Sequence, residues 1–157
     1  MNYTIRFAGA VLVSMMAALG PAHATGDFLC EANDASVKFE AGSSFSHGLG
    51  EVFTNFKGTL KVLLKDTPKD LADLAFDKDH LAHHWFRGDS LKLHLYRERP
   101  GSGLHGYVEL VVETTQSPDD ETAFGGSYKL TVYHIRDEAS SEGETLSAEG
   151  EISCSVG

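Results

Sequence analysis

Three histidines in one short segment are the residues of this chain best suited to metal chemistry. They are His80, His83 and His84, and two acids, Asp77 and Asp79, come just before them. Imidazole nitrogen and carboxylate oxygen bind zinc and copper, and a site needs at least three ligands that converge on one point. If residues 79–85 form a helix, the three imidazoles share one face, and either acid is placed to act as a fourth ligand.

Two other interpretations of this segment stay open. In a helix, Leu81 and Trp85 form the opposite, apolar face. The histidines could then be no more than the exposed polar side of a helix whose apolar side is buried. In a strand, His83 points away from the other two and no shared site forms. Hydrolysis by a His-Glu-x-x-His zinc motif is not supported, because Leu81 stands where the glutamate base is required. We therefore keep a zinc or copper site as the alternative hypothesis.

No other group of residues predicts catalysis. The chain has no Gly-x-Ser-x-Gly motif. Ser46 beside His47 is not a catalytic pair unless the fold gives the two side chains the right geometry. Acidic residues are too numerous for any one pair to be singled out as acid and base. We name no catalytic residue and expect the protein to act by binding.

The first 24 residues have the features of an export signal. A weakly basic start (residues 2–6) precedes an apolar run (residues 7–19), and residues 20–24 match a small-x-small cleavage site. The apolar run is shorter than the roughly 20 residues that a membrane span needs. We expect a mature protein of residues 25–157 that is periplasmic or secreted and has no membrane span.

The charge balance narrows the choice of partners. Residues 25–157 hold 12 of the 13 Lys and Arg residues and all 23 acids, a formal net charge of −11. Such a surface repels nucleic-acid phosphates and anionic lipids, so neither is an expected partner. It attracts cationic proteins and peptides, and the acidic segment 137–144 adds to this attraction. The alternative explanation of this negative charge is that it only keeps the protein soluble.

The two cysteines, Cys30 and Cys154, lie near opposite ends of the mature chain. An even number in an oxidising compartment predicts one disulfide, and the lack of Cys-x-x-Cys spacing favours a structural bond over a redox pair. A disulfide needs Cα atoms within about 7 Å of each other. The first and last strands should therefore be neighbours, paired in one sheet or facing each other across the core.

Alternating apolar and polar residues dominate the mature sequence and predict strands. Clear runs are Leu60–Leu64, Leu91–Leu95, Val108–Val112, Tyr128–Val132 and Leu146–Val156. We predict an all-β domain of about eight strands, either an antiparallel barrel or a two-sheet sandwich. A disulfide between the chain ends favours the barrel. One short helix is expected near residues 68–76, with Thr67 as its N-cap and Pro68 at its first position.

The sequence therefore predicts a single exported β domain that binds a partner. One candidate partner is a cationic protein or peptide, for example a host or competitor enzyme that the domain inhibits. Another is a small apolar ligand held in a barrel mouth, since barrels of about eight strands can enclose one. The aromatic residues available to line such a mouth are Tyr96, Tyr107, Tyr133, Phe45, Phe53, Phe56 and Trp85. The alternative function is transition-metal binding through His80, His83 and His84.

Overall fold

One antiparallel sheet makes up almost all of the structure. This computed structural model describes residues 25–46, 52–101, 103–137 and 142–157; the predicted export signal lies outside them. The strands are β1 (Thr25–Asn33), β2 (Val37–Ser46), β3 (Val52–Val62), β4 (Asp73–Asp77), β5 (Leu81–Arg87), β6 (Ser90–Glu98), β7 (Gly106–Ser117), β8 (Asp120–His134) and β9 (Glu144–Val156). A four-residue helix, α1 (Lys69–Ala72), and a 3₁₀ helix (Lys78–His80) join them. The predicted all-β class is confirmed.

The sheet curls until β3 and β4 at one edge approach β5 and β6 at the other, which makes a nearly closed barrel. The strand order is β4-β3-β2-β1-β9-β8-β7-β6-β5, and every neighbouring pair is antiparallel. The predicted barrel is confirmed, with nine strands where about eight were expected. The first and last strands are neighbours in the same sheet. Cys30 lies directly opposite Cys154 there, and the two form a disulfide with an S–S distance of 2.06 Å.

The ninth strand arises because one strand of the barrel is broken. β4 pairs with β3, the 3₁₀ helix follows, and β5 then pairs with β6. Together the two halves fill the place of a single strand between β3 and β6. Arg97 on β6 donates a hydrogen bond to the carbonyl oxygen of Ala75 on β4. His84 on β5 stacks on Phe53 of β3, with ring centres 4.4 Å apart. We call the line along which the two edges of the sheet approach each other the seam. Among the described residues, these side-chain contacts take the place of main-chain pairing there.

The predicted helix is shorter than expected. It covers Lys69–Ala72, and its N-cap is Pro68, not Thr67, whose hydroxyl instead donates a hydrogen bond to the carbonyl oxygen of Leu64. The following residues, Asp73–Asp77, form β4. Leu74 and Phe76 alternate with exposed residues and are buried against β3. The spacing of the apolar residues fits both a helix and a strand, and pairing with β3 selects the strand.

Apolar side chains from alternate strand positions fill the inside of the barrel. Examples on neighbouring strands are Leu91, Leu93, Leu95, Val108, Leu110, Val112, Leu130 and Val132, each at most 1% exposed. Phe45 and Phe56 are also buried in this core, whereas Trp85 lies on the outer face. The aromatic residues predicted to line one barrel mouth are therefore divided between the core and the outside.

A hydrogen bond across the barrel ties β8 to the β1–β2 turn. The buried Tyr128 donates from its hydroxyl to Oδ2 of Asp34 over 2.6 Å, while Oδ1 of Asp34 accepts from the main-chain nitrogens of Ser36 and Val37. Gly150 makes room for this pair, since a Cβ there would lie 2.4 Å from Oδ2 of Asp34. Partial burial raises the pKa of the Asp34 carboxyl, but the three hydrogen bonds together hold it below its ordinary value of 3.8.

Tyr128→Phe is expected to lower the free energy of unfolding at pH 7 by about 2 kcal/mol, because it removes one hydrogen bond to a charged group. The depressed pKa of Asp34 means that its ionised form stabilises the fold at neutral pH, and that this contribution is lost as the pH falls below 3.8. The loss caused by Tyr128→Phe in urea unfolding should therefore be smaller at pH 3 than at pH 7. An equal loss at both pH values would contradict this link. Tyr107→Phe, on the outer face, is the matched control and should change little.

Candidate functional site

The structure places His80 in the 3₁₀ helix at the break in the barrel strand. Its Nδ1 lies 2.8 Å from Oδ1 of Asp77, which also accepts a hydrogen bond from the main-chain nitrogen of Asp79. The hydrogen bond from Asp79, with a further one from His80, holds the pKa of the Asp77 carboxyl below its ordinary value. His80 and Asp77 thus cap this short helix, which turns the chain from β3 towards β6.

The other two predicted histidines point to opposite faces of β5. His83 lies opposite His94, an outward residue of β6, while His84 lies opposite the buried Leu93. The ring of His84 packs on Phe53 at the seam. Partial desolvation of its ring, and then the nearby His83, lower the pKa of His84, although the residue remains exposed. Its neutral form is therefore favoured.

The three histidines are not brought to one point. The helix over residues 79–85 that would align them is wrong, because residues 81–87 form β5. Within the described ranges, no group of three or more His, Cys, Asp or Glu side chains is arranged to hold a metal ion. The physical reason is the two-residue period of a strand, which sends adjacent side chains to opposite faces.

A more extended surface lies on the outside of the barrel, across three strands. We define the β5–β7 face as His83, Trp85, Lys92, His94, Val111 and Glu113, which line a shallow groove of about 310 Å³. Cross-strand pairing sets the positions of these side chains: Trp85 is opposite Lys92, and Lys92 is opposite Glu113. Nζ of Lys92 lies 2.8 Å from Oε1 of Glu113. Lys92, the cation of this groove, is therefore already paired with a carboxylate of the protein itself.

Trp85 is the most prominent residue of the β5–β7 face. It is 52% exposed, more than any other large hydrophobic side chain among the described residues. The helical interpretation buries Trp85 beside Leu81, and this expectation is wrong. Phe86, the next residue, is the one that packs inward, with its ring centre 4.9 Å from that of Phe45. Tryptophan is enriched among the residues that dominate protein interfaces, which makes an exposed tryptophan a candidate contact residue.

A row of tyrosines continues this outer surface towards the other end of the barrel. Tyr96, Tyr107 and Tyr133 lie on neighbouring strands, with successive ring centres 5.3 Å apart. The rings of Tyr107 and Tyr133 are nearly parallel, at 22°, so they stack on each other across the strands. Cross-strand aromatic pairs of this kind stabilise a sheet. We interpret the row as a structural ladder that borders the β5–β7 face.

An acidic rim lies at the end of the strands next to Trp85. We define the acidic rim as Asp89 in the β5–β6 turn, Asp119 in the β7–β8 turn, and Asp120 and Glu121 at the start of β8; all four are exposed. Gln116 joins Asp89 to the rest of the rim: its main-chain nitrogen donates to the carbonyl oxygen of Asp89, and its Nε2 donates to that of Glu121. Hydrogen bonds from the hydroxyl and the main chain of Thr122 lower the pKa of Asp120. This carboxylate therefore stays ionised at neutral and mildly acidic pH.

The four rim residues are all acids. Residues 88–89 and 117–121, which comprise the two turns with the end of β7 and the start of β8, include no Lys or Arg. The nearest cation in sequence is Arg87, at the end of β5. Like charges at one end of a barrel attract a cationic partner over about one Debye length, roughly 8–10 Å at physiological salt.

Sequence reasoning missed most of this surface. The signal for His94 was present, since Leu91, Leu93 and Leu95 alternate with Lys92 and His94 and place both outward. No comparable signal exists for Trp85, because the run His83 to Phe86 lacks a clear alternation. The neighbourhood of Trp85 depends on the register of β5 on β6 and of β6 on β7, which the sequence alone does not set.

Comparison of the chain with protein-family models, with curated proteins and with solved structures finds no match. Among the described residues, no helix has the length and apolar character needed to cross a membrane. The fold and the surface define a disulfide-linked antiparallel barrel with a filled interior and an outer face that combines an exposed tryptophan with an acidic rim.

Proposed function

We propose that this protein is an exported, non-enzymatic binding domain that captures a cationic protein or peptide on the β5–β7 face. The observation that carries the proposal is the position of Trp85, exposed on the outside of the barrel at the strand ends where the acidic rim lies. The exposed ring offers the apolar contact and the rim offers the charge.

Trp85 has the properties of an interface anchor. Tryptophan is enriched among the few residues that carry most of the binding free energy in protein interfaces. Its indole face also attracts the ammonium or guanidinium group of a partner's Lys or Arg side chain. The flanking Val111 and His83 widen the apolar contact around it. A basic side chain of the partner that stacks on Trp85 would have Glu113 nearby, which now pairs with Lys92.

The acidic rim would act mainly on the rate of encounter. Exposed charges of one sign steer an oppositely charged partner and raise the association rate, and salt weakens this effect. The overall charge of the mature chain, −11, acts in the same direction. The proposed mechanism is therefore electrostatic attraction to the rim followed by burial of Trp85 under the partner.

The proposed location is outside the cytoplasm, in the periplasm or secreted. The Cys30–Cys154 disulfide supports this location, since such bonds persist in oxidising compartments. The predicted export signal supports it from the sequence. Mass spectrometry of the protein from its native cell tests the location, because a chain that still begins at Met1 and carries free thiols would overturn it.

Binding of the purified protein to immobilised lysozyme, ribonuclease and protamine tests the proposed function. We expect Trp85→Ala to weaken the affinity for a bound basic protein at least tenfold, mainly through faster dissociation. Replacing three rim acids together (Asp119→Asn, Asp120→Asn, Glu121→Gln) should slow association and flatten its salt dependence. The proposal is overturned if no basic protein of the panel binds at low salt.

The matched control removes the same number of charges from another part of the barrel. Glu31, Glu149 and Glu151 are exposed on β1 and β9, the strands in the middle of the sheet order, across the barrel from β5. Replacing these three by glutamine should leave the association rate closer to that of the unchanged protein than the rim variant does. If both triple variants slow association equally, net charge alone acts, and the β5–β7 face is not the binding surface.

A second candidate function is the binding of a small apolar ligand. It is favoured by a groove of about 640 Å³ on the outside of β1 to β4, where small residues leave space beside the exposed Leu29. The volume lies in the usual range for ligand sites, about 300–1,000 Å³. The residues that shape it include Gly42, Ala75 and Arg97. Native mass spectrometry of freshly purified protein should then show a bound species; bare protein alone would contradict this candidate.

A further inference from the structure

Two histidines from different strands face each other on the outside of the barrel. His83 on β5 and His94 on β6 are directly opposite residues of the antiparallel pair, and their ring centres are 6.0 Å apart. A metal ion lies about 2.0–2.1 Å from an imidazole nitrogen and therefore roughly 3 Å from the ring centre, so two rings that share an ion have centres at most about 6 Å apart. The observed separation corresponds to ligands on nearly opposite sides of the ion, whereas neighbouring ligands at roughly 90–110° bring the ring centres to about 4.5–5 Å. Binding in that arrangement therefore requires the exposed His83 ring to move about 1 Å towards His94.

A carboxylate orients one of the two rings. Nε2 of His94 lies 2.6 Å from Oε1 of Glu109 on β7, and both side chains are about one-third exposed. When Nε2 carries the proton and donates it to this carboxylate, Nδ1 of His94 keeps the lone pair that a metal ion requires. Histidine ligands in metalloproteins commonly donate their second ring N–H to a carboxylate in this way, which fixes the ring and raises its basicity.

We propose that His83 and His94 form a surface site for a late first-row divalent ion, with water completing the coordination and Glu109 positioning His94. Imidazole ligands suit Cu²⁺ and Zn²⁺, and Cu²⁺ binds most tightly of the series at a given set of ligands. This site differs from the cluster that the sequence predicts, because it shares only His83 with it. The metal-site proposal does not rest on the proposed capture of a cationic protein, although both use residues of the β5–β7 face.

The protein contains its own reporter for this site. Trp85 is the only tryptophan of the chain. It lies two residues from His83 on the same outer face, which in a strand is a separation of about 7 Å. Cu²⁺ bound between His83 and His94 should quench the fluorescence of Trp85 in a saturable titration with one ion per chain. The quenching should weaken at acidic pH, because protonated imidazole cannot bind the ion.

Five single variants separate this site from the alternatives. His83→Ala and His94→Ala should each weaken Cu²⁺ binding at least tenfold, and Glu109→Ala should weaken it about 10–100-fold. His84→Ala, which alters the neighbouring residue on the other face of β5, and His80→Ala should leave binding unchanged. Isothermal titration with Cu²⁺ and with Zn²⁺ gives the same ranking without relying on fluorescence, and thermal unfolding checks that each variant is folded.

Three results would overturn the proposal. One is the absence of saturable binding of either ion to the unchanged protein. Another is a loss of binding in His80→Ala and His84→Ala while His94→Ala binds normally, which would instead support the site predicted from the sequence. The third is equal binding by all variants, which would indicate adventitious association elsewhere on this acidic surface.

Discussion

Replacing both cysteines by alanine is expected to lower the free energy of unfolding by about 4–5 kcal/mol, the largest effect of any change considered for this protein. Cys30 and Cys154 are separated by 124 residues, so their bond closes residues 30–154 into one loop. In the chain-entropy account, a loop of this length strongly restricts the unfolded state. The loss is comparable to the whole stability of many domains.

The position of the disulfide adds to its importance. β1 pairs with β9 over only four residues, Phe28–Glu31, whereas β8 pairs with β9 over twelve. The bond lies within this short pairing and holds the two ends of the chain in neighbouring strands. Without it, the sheet is expected to open between β1 and β9, because this pairing is short and joins the two ends of the described chain.

Urea unfolding followed by tryptophan fluorescence measures this effect. The double variant should unfold at a clearly lower urea concentration than the oxidised protein. Adding a reducing agent should shift the unchanged protein to about the same midpoint and leave the double variant where it is. Equal midpoints for the oxidised protein and the double variant would contradict the structural role of the bond.

Gly126→Ala is expected to lower the free energy of unfolding by about 3 kcal/mol, because the added methyl group has no space. A Cβ at position 126 would lie 2.0 Å from the carbonyl oxygen of Glu113 and 2.7 Å from the Cα of Thr114. Both are main-chain atoms of β7, so no rotation of a side chain can relieve the clash. β7 and β8 would have to separate, within one of the two longest pairings of the sheet.

The neighbouring glycine supplies the control for this prediction. A Cβ at Gly125 meets no atom within 4 Å. Gly125→Ala should therefore be neutral, or stabilising by a few tenths of a kcal/mol through the unfolded state. Thermal unfolding of both variants should show a large fall in Tm for Gly126→Ala only. If both variants lowered Tm by a similar amount, a general effect of replacing glycine in a strand, and not the close approach of β7, would explain the loss of stability.

The broken strand explains why the candidate surfaces lie where they do. β4 and β5 are the two edges of the sheet, and each pairs on one side only. Edge strands are the usual places for contact with other molecules, since part of their main chain lacks a partner strand. Trp85 and His83 both project from β5. The proposed protein contact and the proposed metal site therefore share one edge of the barrel.

The sequence by itself determined the all-β class of the fold and the proximity of its first and last strands, and it left the choice between a barrel and a sandwich to the tertiary structure. Runs such as Leu91, Leu93 and Leu95 alternate with polar residues, and a strand is the regular structure that buries such a pattern on one face. The even number of cysteines predicted a Cys30–Cys154 disulfide and made the first and last strands neighbours, in one sheet or across the core; the structure shows that they pair in one sheet. The first inference depends on periodicity along the chain and the second on the cysteine count, and both are properties of the sequence alone.

Only the tertiary structure decided the conformation of residues 69–87 and the composition of the binding face. Leu71 and Leu74 fit a helix as well as a strand, and pairing with β3 and then β6 settles the choice. The approach of His83 to His94 and the exposure of Trp85 follow from strand register, and a shift of one residue would turn each side chain to the other face. Register is set by packing between distant parts of the chain, so no local pattern specifies it.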